Sequence, residues 1–374
     1  MADTHHANAT NTGDEPRVSV VLPTCNRRDI TARCLDALRA QDHDAYEVIV
    51  IDDGSTDGTP DTLSKYADDH PGLGLRVLLN GANRGANISR NRGIESARGR
   101  IIAFLDSDCI AEPNWLTQLE RGFTHDRVAG VTGLVTDPEP RNRYDLAFRG
   151  THRVVTSGPA PRLVAGNMAL RADILRRFAF DVGFTANALN PDGTPDLTVS
   201  GRSDEAGLAI KLRAAGYELR SAPDAVVYHE HYYTRRSFFR QGWRGGRSAA
   251  RLVRRFGLAP RVDVWPLLAA WITLPIALGA GVAARASGGS AWWWAGLALP
   301  ASFFALACAA YGYNELARKG KTRGQLARCW WLVIAYYHAR AAGYAWQSLR
   351  LTLAIDTQER FDLDTIRGMA GTRN

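Results

Sequence analysis

Cysteine is scarce and scattered. The chain has five, at Cys25, Cys34, Cys109, Cys308 and Cys329, with no C-x-x-C pair and no metal-ligand spacing. That argues against a disulfide framework and a cysteine-built zinc site, and the odd number fits reduced thiols facing a cytosol. Residues 1–16 contain no apolar run, so the reading is a disordered polar tail without a signal peptide. Acid is missing from Arg235 to Arg261, a stretch that holds nine arginines. Charge of either sign is missing from Val264–Ala284 and from Ala291–Tyr313, runs of 21 and 23 residues. A basic stretch can meet nucleic acid. Lying directly before two long apolar runs, this one points to anionic lipid headgroups, and nucleic acid is not expected as a partner.

What the chain does have is enough length and apolar content for a packed core. It contains 374 residues, 45% hydrophobic and 22% charged, with a net charge of +8. Ile101–Leu105 is a continuous apolar run of strand length, the pattern of a strand buried on both faces of a parallel sheet. It stops at two carboxylates, Asp106 and Asp108. In an open α/β sheet, ligands bind beyond the carboxyl ends of the strands. Two carboxylates that close repel unless a cation lies between them, and oxygen ligands of this kind suit Mg²⁺ or Mn²⁺. An Asp-Ser-Asp turn without a metal is the plain alternative.

Val18–Leu22 reads as a strand running into Pro23-Thr24-Cys25-Asn26, followed by a helix from about Asp29 to Ala40. Val48–Ile51 reads as a second strand, ending in Asp52-Asp53-Gly54-Ser55, and Leu75–Leu79 as a third. Asn87–Ala97 reads as a helix whose first turns carry Arg90. Strand alternates with helix, so the expected architecture is α/β with a doubly wound, mostly parallel sheet. Farther on, Gly166-Asn167-Met168 is expected to precede a helix beginning near Arg171. Asp204-Glu205 opens another helix, either as a charge device at its start or as a catalytic acid/base. His229 and His231 stand at i and i+2 on a strand, one face, where both can approach a metal.

In this order, Val-Val-Leu-Pro-Thr, Val-Ile-Asp-Asp-Gly-Ser-Thr-Asp, Asn-x-Gly-x-Asn-x-Ser-Arg-Asn, Phe-Leu-Asp-Ser-Asp, Gly-Asn-Met and Asp-Glu resemble the family 2 glycosyltransferases of GT-A fold, over residues 17–232. The resemblance implies an inverting transferase with a nucleotide-sugar donor and Mg²⁺ or Mn²⁺ as cofactor. It implies that Asp53 holds the nucleobase, that Pro23, Thr24 and Asn26 line the nucleotide, and that Arg90 faces the diphosphate. Asp106 and Asp108 match the D-x-D pair, Asp108 on the metal and Asp106 nearer the sugar or ribose, with His229 beside the metal. The family's base is the Asp of a Glu-Asp pair, whereas this chain reads Asp204-Glu205. Alignment on the helix that follows selects Glu205, and a slip of one residue would select Asp204. A nucleotidyltransferase and an inactive membrane scaffold with a sugar-nucleotide domain are the competing readings.

The two uncharged runs are each long enough to span a bilayer, which takes ~20 residues. Eight of the ten tryptophans lie beyond residue 263, as expected of interfacial anchors. The domain reading is therefore a tail at 1–16, a GT-A catalytic domain at 17–232, a basic interfacial linker helix at 233–262, two transmembrane helices within 263–313, and interfacial C-terminal helices and tail at 314–374. Positive flanks on both sides place the catalytic domain in the cytosol of a multi-pass cell-membrane protein, next to a lipid-linked or membrane-proximal glycan acceptor. Residues 329–354 are expected to lie on the membrane, with Arg340, Gln347 and Arg350 on one polar stripe. Gln241-Gly-Trp-Arg244 is similar to the Q-x-x-R-W motif of processive synthases, but Gly245 replaces the Trp, and two spans make too little protein for an export pore.

Overall fold

The computed structural model describes residues 16–137, 139–148, 157–160, 162–181, 204–256 and 323–353, with isolated positions at 279, 282, 283 and 286. The chain divides into two compact units. One comprises Met1–Pro138, Val154–His231 and Phe361–Asn374, the other Glu139–Arg153 and Tyr232–Arg360. The second unit joins Glu139–Arg153, a segment from inside the expected catalytic domain, to the residues from Tyr232 onward.

The first unit opens with β1 (Val18–Thr24), α1 (Arg28–Arg39), β2 (Tyr46–Asp52), α2 (Thr59–Asp69), β3 (Leu75–Leu79), α3 (Ala86–Ser96) and β4 (Ile101–Leu105). It continues with β5 (Cys109–Ala111), α4 (Trp115–Arg121) and β6 (Val128–Thr136). The second unit's α5 (Arg143–Phe148) interrupts it before β7 (Gly158–Pro159), β8 (Asn167–Arg171), α6 (Ala172–Arg177), α7 (Asp204–Ala214) and β9 (Glu218–His229). The strands form one sheet in the order β3-β2-β1-β4-β8-β6-β9-β5, with β7 beside β9.

The strands are there because their side chains are apolar on both faces. Val18, Val20 and Leu22 of β1 pack with Cys34, Leu35 and Leu38 of α1, Leu63 of α2 and Trp115 of α4. Val21, on the opposite face, packs with Ile94 of α3, Ile174 of α6 and Leu208 and Leu212 of α7. Both faces are covered, and every residue of β4 is buried, which is why its sequence runs apolar without alternation. Burying side chains of this size contributes about 1.5–3 kcal/mol each. On α3, Gly93 lets the helix lie flush on β1: a Cβ there would fall on Val21 Cγ1.

The expectation of a mostly parallel sheet needs correcting. Among the described residues, β1 with β2, β1 with β4, β2 with β3 and β6 with β9 are parallel. β4 with β8, β6 with β8, β5 with β9 and β7 with β9 are antiparallel. The doubly wound half ends at β4, and a mixed half continues from it. The Gly-Asn-Met segment is the hinge between the two. It forms a strand, with Leu105 of β4 paired to Asn167, and the helix expected near Arg171 follows as α6 from Ala172.

In the second unit, α5, α8 (Arg235–Phe256) and α9 (Arg323–Thr352) pack together. Ala147, Phe148, Tyr233, Phe238, Leu332, Val333 and Tyr336 form an apolar cluster. α8 and α9 meet backbone to backbone, since a Cβ on Gly246 would fall on the Arg340 carbonyl oxygen and one on Gly343 on that of Trp243. Gln347, expected on a polar stripe, is instead fully buried and accepts a hydrogen bond from Arg247 Nε at 3.0 Å. Burying a polar amide requires such a partner. No helix among the described residues is long and apolar enough to cross a membrane. The two expected spans, 264–284 and 291–313, lie outside the described residues apart from isolated helical positions.

Candidate active site

The carboxyl ends of β1, β2 and β4 meet at one edge. β1 leaves through Asn26, whose backbone is left-handed at φ 51, a conformation that Asn tolerates better than most residues. Its amide Oδ1 accepts the Thr56 N–H at 2.8 Å, and its own N–H donates to Ser55 Oγ at 2.8 Å. The β1–α1 turn is thus clasped to the loop after β2. Thr24 is turned inward, its hydroxyl 2.8 Å from that of Thr31, and its carbonyl accepts the Asp53 N–H. Pro23 pairs with Ile51 in the strand register. Thr24 and Pro23 therefore shape this edge through backbone, while Asn26 is exposed on it.

Asp53 is buried and already engaged. Its Oδ1 accepts from Asn80 Nδ2 at 2.8 Å and the Arg84 N–H at 2.9 Å, and its Oδ2 accepts the Gly85 N–H at 2.8 Å. A carboxylate oxygen accepts about two bonds, so Oδ2 retains one acceptor position. Beside it, Asp52 Oδ1 accepts the Ser55 N–H, and its buried Oδ2 has no hydrogen-bond partner. Gly54 permits the loop Ala82–Asn83 to lie against this turn, because a Cβ there would fall on the Ala82 carbonyl carbon.

Asp106 and Asp108 follow β4, as expected, and each has a cation. Arg90 on α3 donates from Nη2 to Asp106 Oδ1 at 2.9 Å and from Nη1 to Asn87 Oδ1 at 3.3 Å. A side chain at Gly166 would press on Asp106 Oδ2, 3.0 Å from the Cβ position. Asp108 is buried. Its Oδ2 lies 2.9 Å from Arg27 Nη1 and 3.8 Å from His231 Nδ1, and its Oδ1 lies 3.5 Å from His229 Nε2. Burial would raise the pKa of this carboxyl, but His229, Arg27 and His231 together hold it well below the usual carboxylate range. Burial lowers the pKa of His229 and Asp108 more than offsets that, so the imidazole ends above its ordinary value.

Antiparallel pairing of β5 with β9 puts Cys109 directly opposite His229. Ligand atoms of Asp108, Cys109 and His229 all lie within 4.8 Å of one another. Carboxylate oxygen and imidazole nitrogen suit Mn²⁺ and, through the oxygens, Mg²⁺, so the residues present fit a divalent ion. The Cys109 sulfur adds a softer donor, held as a thiol because burial pushes its pKa well up.

The structure thus gathers Asp106, Asp108, Arg90 and His229, and sets Asp53 after β2, two strands away across β1. Glu205 is half-buried on the first turn of α7; the Asp204 side chain lies outside the described residues. Arg27 and Cys109 were not singled out in the sequence. An arginine three residues past Pro23-Thr24 gives no periodic signal, and Cys109 read as an isolated thiol.

A mixed α/β sheet that ends in an acid pair and a histidine is the arrangement of a GT-A-like glycosyltransferase, and the comparisons agree. The model "Glycosyl transferase family 2" matches residues 19–177, and "Glycosyl transferase family group 2" matches residues 101–311, more than half of the chain. This chain belongs to glycosyltransferase family 2. Glycosyltransferase AglE of Haloferax volcanii is 32% identical over 226 residues, which cover 57% of this chain and 67% of the relative. The pre-mycofactocin glycosyltransferase of Mycobacterium tuberculosis is 30% identical over 281 residues, covering 71% of this chain and 54% of the relative. The match thus spans about two thirds and one half of those relatives' lengths. Among solved structures, the mannosyltransferase PcManGT of Pyrobaculum calidifontis, in complex with GDP-Man and Mn²⁺, shares the fold with a TM-score of 0.57 at 23% identity, covering 90% of this chain and 89% of that one. The protein is a glycosyltransferase, which sets aside both the nucleotidyltransferase and the inactive-scaffold readings.

Proposed function

We propose that this glycosyltransferase moves a sugar from a nucleotide-sugar donor to a lipid-linked or membrane-proximal glycan acceptor, with inversion and with Mg²⁺ or Mn²⁺ as cofactor. The observation that carries the reading is the convergence of Asp106 and Asp108, at the end of β4, with His229, at the end of β9. The similar mannosyltransferase structure holds GDP-Man and Mn²⁺. Here Asp108 and His229 would hold the ion, with Cys109 within reach. When bound, such an ion neutralises the charge that develops on a departing nucleoside diphosphate.

The chain's own residues do the rest. Asp53 offers its remaining Oδ2 acceptor position to a nucleobase N–H. Arg90 fixes Asp106 in one orientation, so that its free oxygen accepts from a donor hydroxyl. Glu205 takes the proton of the acceptor hydroxyl as that oxygen attacks the anomeric carbon and the bond to the diphosphate breaks. The electron pair leaves with the diphosphate, and no covalent enzyme intermediate forms. A positioned base contributes about 10²–10⁴-fold. The acceptor class follows from the apolar runs 264–284 and 291–313 and their arginine flanks, which favour a cell-membrane anchor with the catalytic unit in the cytosol. The test is a screen of nucleotide sugars with Mn²⁺ or Mg²⁺ against membrane lipid extracts. Transfer by the native chain and none by Asp108→Ala or in EDTA is the expected result. Undiminished transfer in EDTA would overturn the metal dependence.

A further inference from the structure

Arg27 occupies an unusual position for a residue of a metal-binding edge: its guanidinium is the cation closest to Asp108. Nη1 lies 2.9 Å from Asp108 Oδ2 and 3.3 Å from Ser107 Oγ. The Asp108 side chain is 6% exposed, whereas that of Arg27 is 39% exposed. One partner is fixed in the protein and the other can leave it. The turn that delivers Arg27 is rigid, since Asn26 is clasped to Ser55 and Thr56 and the Arg28 N–H donates to Asp57 Oδ2 at 3.3 Å. Only the side chain beyond Cα has freedom to move.

Building on the reading of Asp108 as a metal ligand, we propose that Arg27 is an exchange cation. It neutralises Asp108 while metal and donor are absent, and it passes to the donor's diphosphate when they bind. With a divalent ion held on Asp108, Arg27 would lose its acceptor and be repelled from the site. The same ion brings a diphosphate, because Mg²⁺ and Mn²⁺ at such sites are completed by phosphate oxygens. Guanidinium binds phosphate oxygens bidentately, so the displaced side chain has a stronger partner within one swing. Metal and nucleotide then bind cooperatively: metal alone must evict Arg27, while metal with diphosphate gives it a new site. Arg27 thereby acts as a donor-binding residue that also disfavours idle metal loading. Arg90 plays no such part, being 6% exposed and held by Asn87 as well as Asp106.

The experiment is a calorimetric Mn²⁺ titration of the full-length protein in detergent, alone and with UDP or GDP, for the native chain, Arg27→Met, Arg27→Gln and Asp108→Asn. Arg27→Met and Arg27→Gln should bind Mn²⁺ alone about tenfold more tightly, the scale of one partly exposed ion pair removed. Both should bind the nucleoside diphosphate, with Mn²⁺ present, about tenfold more weakly. A merely structural role would not move the two affinities in opposite directions. If Asp108→Asn loses Mn²⁺ while the Arg27 variants bind it no more tightly than the native chain, the exchange is overturned and the metal site stands. If Asp108→Asn binds Mn²⁺ as the native chain does, the metal site and the exchange both fall.

Discussion

Arg90 donates to Asp106 Oδ1 at 2.9 Å from a position only 6% exposed, while Arg27, on the β1–α1 turn, meets Asp108 at 2.9 Å. The two acids of the pair are therefore neutralised by different elements, Asp106 from α3 and Asp108 from the β1–α1 turn. Lysine cannot reproduce the Arg90 fork, because one ammonium would have to serve Asn87 and Asp106 together. Arg90→Lys should lower kcat about tenfold or more with the fold retained. Arg90→Met should also cost about 2 kcal/mol of stability, by stranding a carboxylate and an amide oxygen. Turnover and thermal melts of both variants check this.

Residues 204 and 205 are consecutive at the start of α7, about 100° apart around a helix, so only one of Asp204 and Glu205 is expected to face the acceptor. Asp is the better N-terminal cap, which leaves Glu205 to reach the hydroxyl. Glu205→Gln should cut turnover by about 10²-fold or more with nucleotide binding preserved, whereas Asp204→Asn should cost about 1 kcal/mol of stability or less. Turnover and donor affinity measured side by side decide it. A dead Asp204→Asn with an active Glu205→Gln would assign the base to Asp204.

Glu47 sets an acid limit on stability. Its buried carboxylate accepts from Ser19 Oγ at 2.7 Å, the Arg98 N–H at 2.8 Å and Arg98 Nε at 3.0 Å. Burial pushes its pKa up, but the Ser19 and Arg98 hydrogen bonds prevail, so the folded value lies below the ordinary one. A carboxyl whose pKa is depressed by folding stabilises above its unfolded pKa, about 4.3, and loses that contribution as pH falls through the folded value. Chemical denaturation of the native chain should therefore show stability falling below about pH 4.5, and Glu47→Gln should flatten that slope while costing about 2 kcal/mol at pH 7. An unchanged slope would remove Glu47 from the account.

The proposed membrane anchor rests on the apolar runs and not on charge alone. The full-length chain should stay with the membrane fraction through high salt and through an alkaline carbonate wash. Charge-held proteins leave under the first treatment, since exposed attractions are screened within a Debye length, about 3 Å at 1 M salt. Release by high salt would reduce the attachment to the arginines of α8.

The sequence by itself determined the strands and helices of the doubly wound half and the acids at their ends. β4 is legible to the residue, Ile101–Leu105, because a strand covered on both faces must be apolar throughout. Asp53, Asp106 and Asp108 are legible as acids beyond the strand ends because the apolar runs mark where β2 and β4 stop. Tertiary structure alone decided the mixed half. β8 hides from pattern reading because its first residue, Asn167, is a fully buried amide: its Oδ1 accepts from Trp115 Nε1 at 2.8 Å, and its Nδ2 donates to the Leu134 and Ala225 carbonyls at 2.9 and 2.8 Å. A polar residue satisfied by groups 33 to 58 residues away looks like a loop in one dimension. The same holds for Arg27 and Gln347. Each is defined by a partner far along the chain, and only the folded backbone brings that partner within hydrogen-bonding distance.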